Sequence, residues 1–286
     1  MTPVTEAVQT ELCHFATADR ERLHALLFRS REKSESQLTL VMIHGVAMNF
    51  YTGPLPIFSR LLAERGYHVL CMNTRGHDWI SRAGNLTAFG GAAYENFEDC
   101  LHDLDAALKW LGSRGYRRFV LVGHSLGAVK SLFYQGTRRR SDIAGIVSCS
   151  APKQFYSARA VEQPDFPGRM AEAETMVSAG RGEEFLWAPS SGATGIFSAR
   201  TYINKYGCHE QTDVRPYAAR LGCPLLAAAG SKEHSFFIEY ARELAEAAGG
   251  HMDACHILEG GKHFYLRREP VMTEIIAQWL VRLDMG

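Results

Sequence analysis

Near-continuous apolar runs of strand length recur along the chain at Leu38–Ile43, Tyr67–Met72, Arg118–Val122, Ile143–Cys149, Pro224–Ala229 and Ala254–Leu258, each bounded by Gly, Pro, Asn or Ser. Apolar runs this short, without polar alternation, predict strands covered on both faces. Segments of helical period lie between them. From Tyr94 to Leu111 the apolar residues Phe97, Leu101, Leu104, Leu108 and Leu111 follow three- and four-residue steps, with acids early and Lys109 late to suit the helix dipole. Pro54–Glu64, Leu126–Gln135, Phe236–Ala248 and Val271–Leu283 read the same way. Strands alternating with helices imply right-handed crossovers and a mostly parallel central sheet flanked by helices, an α/β fold. Before the rhythm starts, Leu12–Thr17 and Leu23–Ser30 flank the charged turn Ala18-Asp19-Arg20-Glu21 and predict a hairpin.

One stretch breaks the rhythm. Residues 151–220 contain Pro164, Pro167, Pro189 and Pro216, a Gly/Ser-rich patch at Ser190–Gly195 and interspersed aromatics. That is too long for a plain connection inside a compact domain, so it reads as an inserted lid or cap with some helix of its own. Because strand-like runs resume after it, residues 1–150 and 221–286 are expected to form a single core domain. The cap aromatics Phe155, Tyr156, Phe166, Trp187, Phe197, Tyr202 and Tyr206 are candidates either to line an apolar pocket or to pack the cap down.

The 286 residues carry 31 basic and 31 acidic side chains. With no net positive field to gather phosphate backbones or anionic lipid, nucleic-acid binding is disfavoured. Residues 1–30 lack the apolar centre of a secretory signal, and no apolar stretch reaches the roughly eighteen residues that a span needs. The seven cysteines are dispersed, odd in number and without a C-x-x-C pair, which fits buried small hydrophobes in a reducing compartment. A cytoplasmic protein acting away from membranes is expected. The spacings that would hold a metal or a nucleotide are missing, so no cofactor is implied.

The chemistry concentrates in Gly123-His124-Ser125-Leu126-Gly127, where a G-x-S-x-G pattern falls on the join of a predicted strand and a predicted helix. A nucleophilic serine has to stand clear of the sheet on a strained turn, and only very small residues two positions either side let the backbones pass. The same turn leaves the Leu126 amide at a helix N-terminus, where a free donor and the helix dipole favour an oxyanion.

In this motif the sequence resembles the α/β-hydrolase superfamily, over nearly the whole chain. The resemblance implies a second oxyanion amide from the loop His44-Gly45 after Leu38–Ile43, which by matching is that of Val46. It also implies the order nucleophile, acid, histidine. His263, in Glu259-Gly-Gly-Lys-His263-Phe264 after the last strand, takes the histidine slot as the base for Ser125. Glu233, in the turn Gly230-Ser231-Lys232-Glu233-His234, takes the acid slot, with Glu259 and Asp253 as alternatives. A narrower likeness joins His44-Gly-Val-Ala-Met-Asn49-Phe50-Tyr51 and Asn73-Thr74-Arg75-Gly76-His77-Asp78 to the hydrolase family that includes fungal esterases of fusarinine-type siderophores. It implies an ester of a polyfunctional secondary metabolite as substrate.

Candidates to face that substrate are His44, which alternatively braces its loop, Phe50 and Tyr51 beside it, His124 next to the nucleophile, and Trp187 from the cap. Arg75 and Asp78 are expected to pair across their loop, and Arg138-Arg139-Arg140 to form a solvated helix end. The leading expectation is hydrolysis of a small-molecule carboxylic ester through an acyl-enzyme. A thioesterase, acyltransferase or cyclase would use the same triad with another acceptor. A binding module that has lost catalysis would keep only the fold.

Overall fold

The computed structural model describes residues 8–30, 36–82, 88–190, 193–250 and 254–285. The chain opens with β1 (Val8–Ala16), β2 (Arg22–Ser30), β3 (Leu38–Ile43), α1 (Leu55–Ala63) and β4 (His68–Met72). Two short strands, β5 (Ser81–Arg82) and β6 (Phe89–Gly90), lead to a 3-10 turn at Phe97–Asp99, which runs into α2 (Cys100–Ser113), then β7 (Arg118–His124), α3 (Leu126–Arg138) and β8 (Ile143–Cys149). The insert holds α4 (Tyr156–Glu162), α5 (Phe166–Ser178), the hairpin β9 (Phe185–Ser190) and β10 (Ala193–Ser198), α6 (Ala199–Tyr206) and α7 (Arg215–Ala218). Then follow β11 (Leu225–Gly230), α8 (Ser235–Ala247), β12 (Cys255–Leu258) and α9 (Glu269–Met285).

The main sheet has eight strands in the order β1-β2-β4-β3-β7-β8-β11-β12. Its first two pairings are antiparallel and the remainder parallel, which is the mostly parallel sheet that the alternation predicts and the α/β-hydrolase fold that the resemblance implies. Side chains explain why the strand runs read as continuously apolar. In β3, Val41 and Ile43 point into a cluster with Leu104, Leu108, Leu132 and Leu244, whereas Leu40 and Met42 point into one with Phe58, Leu62, Met272 and Ile276. Period-2 alternation therefore feeds two cores, one under α2, α3 and α8 and the other under α1 and α9.

The helix expected from Tyr94 begins only at Cys100. Phe97 is buried by the 3-10 turn before it, so the apolar step there marks a packed turn rather than a first helical residue. The order of strands reverses between β3 and β7, so the loops leaving their C-terminal ends diverge and open a crevice there, where ligands of such sheets bind.

The insert builds a third cluster from Phe166, Met170, Phe197, Tyr202 and Tyr206. These aromatics pack the insert internally instead of lining a pocket, while Phe155 joins the main core. The insert is seated through charge as well. Glu95 receives Lys130 Nζ from α3 and Lys205 Nζ from α6, each at 2.7 Å, and all three side chains are buried. Lys205 also donates to the Ala92 carbonyl at 2.9 Å, and Asn204 Oδ1 accepts from the Phe97 amide at 2.7 Å. Gly76 is needed beneath this cluster, because a Cβ there would lie 1.8 Å from Glu95 Oε2.

Burial alone would raise the Glu95 carboxyl, but Lys130 and Lys205 hold it down at about 2. A depressed carboxyl contributes stability that is present above its ordinary 4.5 and lost as pH falls toward about 2. Glu95→Ala leaves two buried ammonium groups without their carboxylate and should cost about 3–5 kcal/mol. Urea unfolding at pH 7 measures that loss, and the variant should lack part of the wild type's decline in stability between pH 4.5 and 2.

Candidate active site

Ser125 stands at the tip of the turn from β7 into α3 with φ 56° and ψ −125°, a left-handed conformation costly for any residue with a Cβ. Its amide donates to the Cys149 carbonyl at 2.9 Å and its carbonyl accepts from the Ala128 amide at 2.9 Å. The flanking glycines are needed for close approach. A Cβ on Gly123 would lie 2.2 Å from the Gly127 carbonyl, and one on Gly127 2.0 Å from that of Ile43. Leu126 is the first residue of α3, so its amide is among those with no acceptor inside the helix.

His263 and Glu233 arrive on the loops after β12 and β11. Gly230 and Gly261 pass so closely that a Cβ on Gly230 would lie 2.3 Å from the Gly261 carbonyl, and Lys232 donates to that carbonyl at 2.8 Å. His263 Nε2 lies 3.2 Å from Ser125 Oγ, and Nδ1 lies 3.1 Å from Glu233 Oε2. The ring nitrogen facing Ser125 thus accepts from the serine while the other donates to the carboxylate. Glu259 is exposed and away from this line, and Asp253 lies outside the described residues.

Two residues that the sequence reading missed complete the acid's environment. Ser150 Oγ donates to Glu233 Oε1 at 2.6 Å, and Tyr265 Oη lies 2.6 Å from Ser150 Oγ. Since an ionised carboxylate only accepts, the serine proton goes to Glu233 and the phenol donates to the serine. The Gly230 amide adds a donor to Oε1 at 2.7 Å. A signal for Ser150 existed: it directly follows β8, the strand lying between β7 and β11 in the sheet.

Loop geometry corrects several of the expected substrate contacts. His44 is buried, its Nε2 accepting from the Thr74 amide at 3.0 Å and its Nδ1 donating to the Gly45 carbonyl at 2.8 Å, so it braces the loop. Burial, with Lys130 nearby, lowers its imidazole to about 3 and keeps it neutral. His124 is likewise buried and donates from Nε2 to the His263 carbonyl at 2.6 Å, so it holds the histidine loop rather than substrate. Phe50 rests against the α1–α9 core and its amide is fixed by Asn73 Oδ1 at 2.8 Å. Tyr51 and Trp187 are 61% and 69% exposed on their loop and hairpin. Val46 is half-buried, packed against both the main core and the insert's cluster.

The expected Arg75–Asp78 pair does not form. Arg75 instead binds Asp19 at 2.8 Å and Asp103 at 2.9 Å. Asp78 accepts from Asn49 Nδ2 at 2.9 Å, and its amide donates to the Met48 carbonyl. Asn49 and Asp78 thereby join the two motifs of the narrower likeness, and the pair fixes the shape of the loop that carries Val46. Arg138 and Arg140 end α3 in surface pairs with Asp105 and Asp142.

The sequence profile described as "Alpha/beta hydrolase family" matches residues 40–272. No curated protein matches the sequence. Among solved structures, a Butyrivibrio proteoclasticus protein, Est1E, described with ferulic acid bound, is similar at 15% identity and TM-score 0.68, over 96% of this chain and 100% of that one. The esterase domain of a Rhodothermus marinus protein is similar at 19% identity and TM-score 0.63, over 96% and 98%. A Pyrococcus furiosus esterase is similar at 16% identity and TM-score 0.63, over 100% and 95%.

Gly45 faces the serine so closely that a Cβ there would lie 2.8 Å from Ser125 Cβ and 3.3 Å from Oγ. Gly45→Ala should slow fluorophosphonate labelling of Ser125 by about 100-fold through displacement of the reacting atom, while circular dichroism shows the fold retained.

Proposed function

The chain belongs to the alpha/beta hydrolase family, and from that premise we propose that it is a serine hydrolase cleaving a small-molecule carboxylic ester through an acyl-enzyme. The observation that carries this reading is the unbroken line Glu233 Oε2, His263 Nδ1, His263 Nε2, Ser125 Oγ, with links of 3.1 and 3.2 Å. A serine hydroxyl is a weak nucleophile, and a neutral imidazole within hydrogen-bond reach takes its proton as the oxygen attacks the ester carbonyl. Glu233 fixes the imidazole tautomer and stabilises the imidazolium. Amides of Leu126 and Val46 hold the tetrahedral oxyanion, each such donor being worth about 2.7–4 kcal/mol. His263 then gives its proton to the departing alcohol, and water, activated by the same ring, releases the acid. The left-handed backbone at Ser125 keeps Oγ clear of the sheet, so little is reorganised during the reaction.

His263 is held from three sides. Its ring lies 4.8 Å from that of Phe237, 4.9 Å from His124 and 5.1 Å from Phe264 between centroids. Aromatic walls and the bonded carbonyl restrict the imidazole to swings about the serine, which is the motion that general acid–base transfer needs. The structural likeness to esterases favours an ester over other acyl donors, whereas the triad itself serves any of them.

Intact-mass analysis after fluorophosphonate treatment should find one adduct on Ser125, absent in Ser125→Ala and His263→Ala. Turnover of 4-nitrophenyl butyrate should fall by at least about 10³-fold in either variant. An unlabelled wild type would overturn the reading. Ser150→Gly suits the left-handed φ of 53° at that position while deleting the hydroxyl on Glu233. Losing one hydrogen bond to a charged group should lower kcat about 10-fold, with circular dichroism showing the fold retained.

A further inference from the structure

A buried polar chain that the hydrolytic steps do not use runs from the insert to the oxyanion side of the site. Lys205 of α6 and Lys130 of α3 grip opposite oxygens of Glu95 at 2.7 Å. Lys130 Nζ also donates to Thr74 Oγ1 at 3.1 Å. That contact leaves the threonine proton free for His44 Nε2, 3.3 Å away, which also receives the Thr74 amide at 3.0 Å. With Nε2 accepting, the His44 proton sits on Nδ1 and is donated to the Gly45 carbonyl at 2.8 Å. The same carbonyl accepts from the Met48 amide at 3.3 Å.

The last acceptor gives the chain its meaning. The Gly45 carbonyl and the Val46 amide are two ends of one planar peptide group. A donor on the carbonyl fixes the plane, and polarisation along aligned hydrogen bonds makes the N–H at the other end a stronger donor. Every link from the Lys130 ammonium to that carbonyl has its donor on the same side. Glu95, Lys130, Thr74, His44 and Lys205 are all buried. As a mere clamp the charges would be a poor choice, since well-packed apolar residues often match or exceed a buried ionic cluster in stability.

We propose that Glu95 couples the seating of the insert to the oxyanion-binding peptide Gly45–Val46, with Lys205 and Thr74 as positioning residues for the reaction. This rests on the serine-hydrolase reading. The α6 helix of the insert then supplies one end of the chain that sets the Val46 amide.

Thr74 offers the cleanest test. Thr74→Val keeps the shape and the backbone bond to His44 but removes the hydroxyl, whereas Thr74→Ser keeps the hydroxyl. Thr74→Val should lower kcat for 4-nitrophenyl butyrate on the order of 10-fold, a fraction of the loss of a whole oxyanion donor, with KM unchanged. Affinity for phenylboronic acid, which mimics the tetrahedral state on Ser125, should fall alongside, and Thr74→Ser should restore both. Lys205→Met should repeat the kcat loss, and the double variant should match the larger single rather than their product. If Thr74→Val keeps wild-type kcat and boronate affinity, or Thr74→Ser fails as badly as Thr74→Val, the cluster only fastens the insert and the coupling is wrong. Should Lys205→Met not fold, the Thr74 pair alone decides. A wild type that fluorophosphonate leaves unlabelled would instead sink the serine-hydrolase reading and this coupling with it.

Discussion

The rest of the site depends on one backbone constraint, the left-handed turn at Ser125. A residue with a Cβ held at φ 56° stores on the order of 1–3 kcal/mol, and persists only if its neighbours over-determine it. They do so here from both flanks. β7 is hydrogen-bonded to β3 and β8 along its length, Gly123 lets α3 fold back against the strand, and Gly127 lets that helix touch the end of β3. The turn thus converts the stiffness of the sheet into a fixed position for one oxygen. The loops after β3, β8, β11 and β12 are then arranged around that oxygen because their strands flank β7 on either side.

The parts of this arrangement that follow a period were legible in the sequence. β3 and β8 fall on the runs that predicted them, and G-x-S-x-G marks the turn because steric exclusion demands small residues at fixed offsets. Glu233 and His263 were picked out by their order along a recognisable fold and the glycines around them, and the structure brings both into line with Ser125. The polar residues that orient these groups were not visible, for a physical reason. Ser150, Thr74 and Lys130 act through contacts between strands and helices far apart in the chain, and a hydroxyl or ammonium carries no local pattern that marks a buried partner. Lys130 in particular is a charged residue on a helix buried from Leu126 to Gly136, and its partner Glu95 lies 35 residues earlier.

The insert shows the same limit from the apolar side. Its aromatics were ambiguous between lining a pocket and packing, and tertiary context decided: Phe166, Phe197, Tyr202 and Tyr206 meet one another at centroid distances of 5.2–6.2 Å. A segment of this size needs its own core to hold a shape, and the rings supply it. What remains to join insert and core is a seam, where Val46 packs on one side against the main core and on the other against the insert cluster. The residue whose amide we propose for the oxyanion is also where the two cores meet.

Strain follows the same geography. Among the described residues, nine without the freedom of glycine have positive φ, and Ala47, Asp78, Ser125, Ser150 and Tyr265 of these lie on the loops that build the site. Four of these five are held by bonds beyond their own turn: Asp78 to Asn49, Ser150 to Glu233 and Tyr265, and Ser125 to the backbone at Cys149. A loop that relaxed alone would break its partner's bond, so the strained residues stabilise one another's positions although each is unfavourable by itself. Ser150 and Tyr265 tie Glu233 into this same set of contacts. Glu233 sits on a turn whose exit is fixed by Gly261, and the histidine that it orients is followed two residues later by Tyr265, the phenol that closes the ring of contacts back onto the acid. Glu233 and His263 are therefore positioned by one closed circuit, in which displacing either moves a group that holds the other.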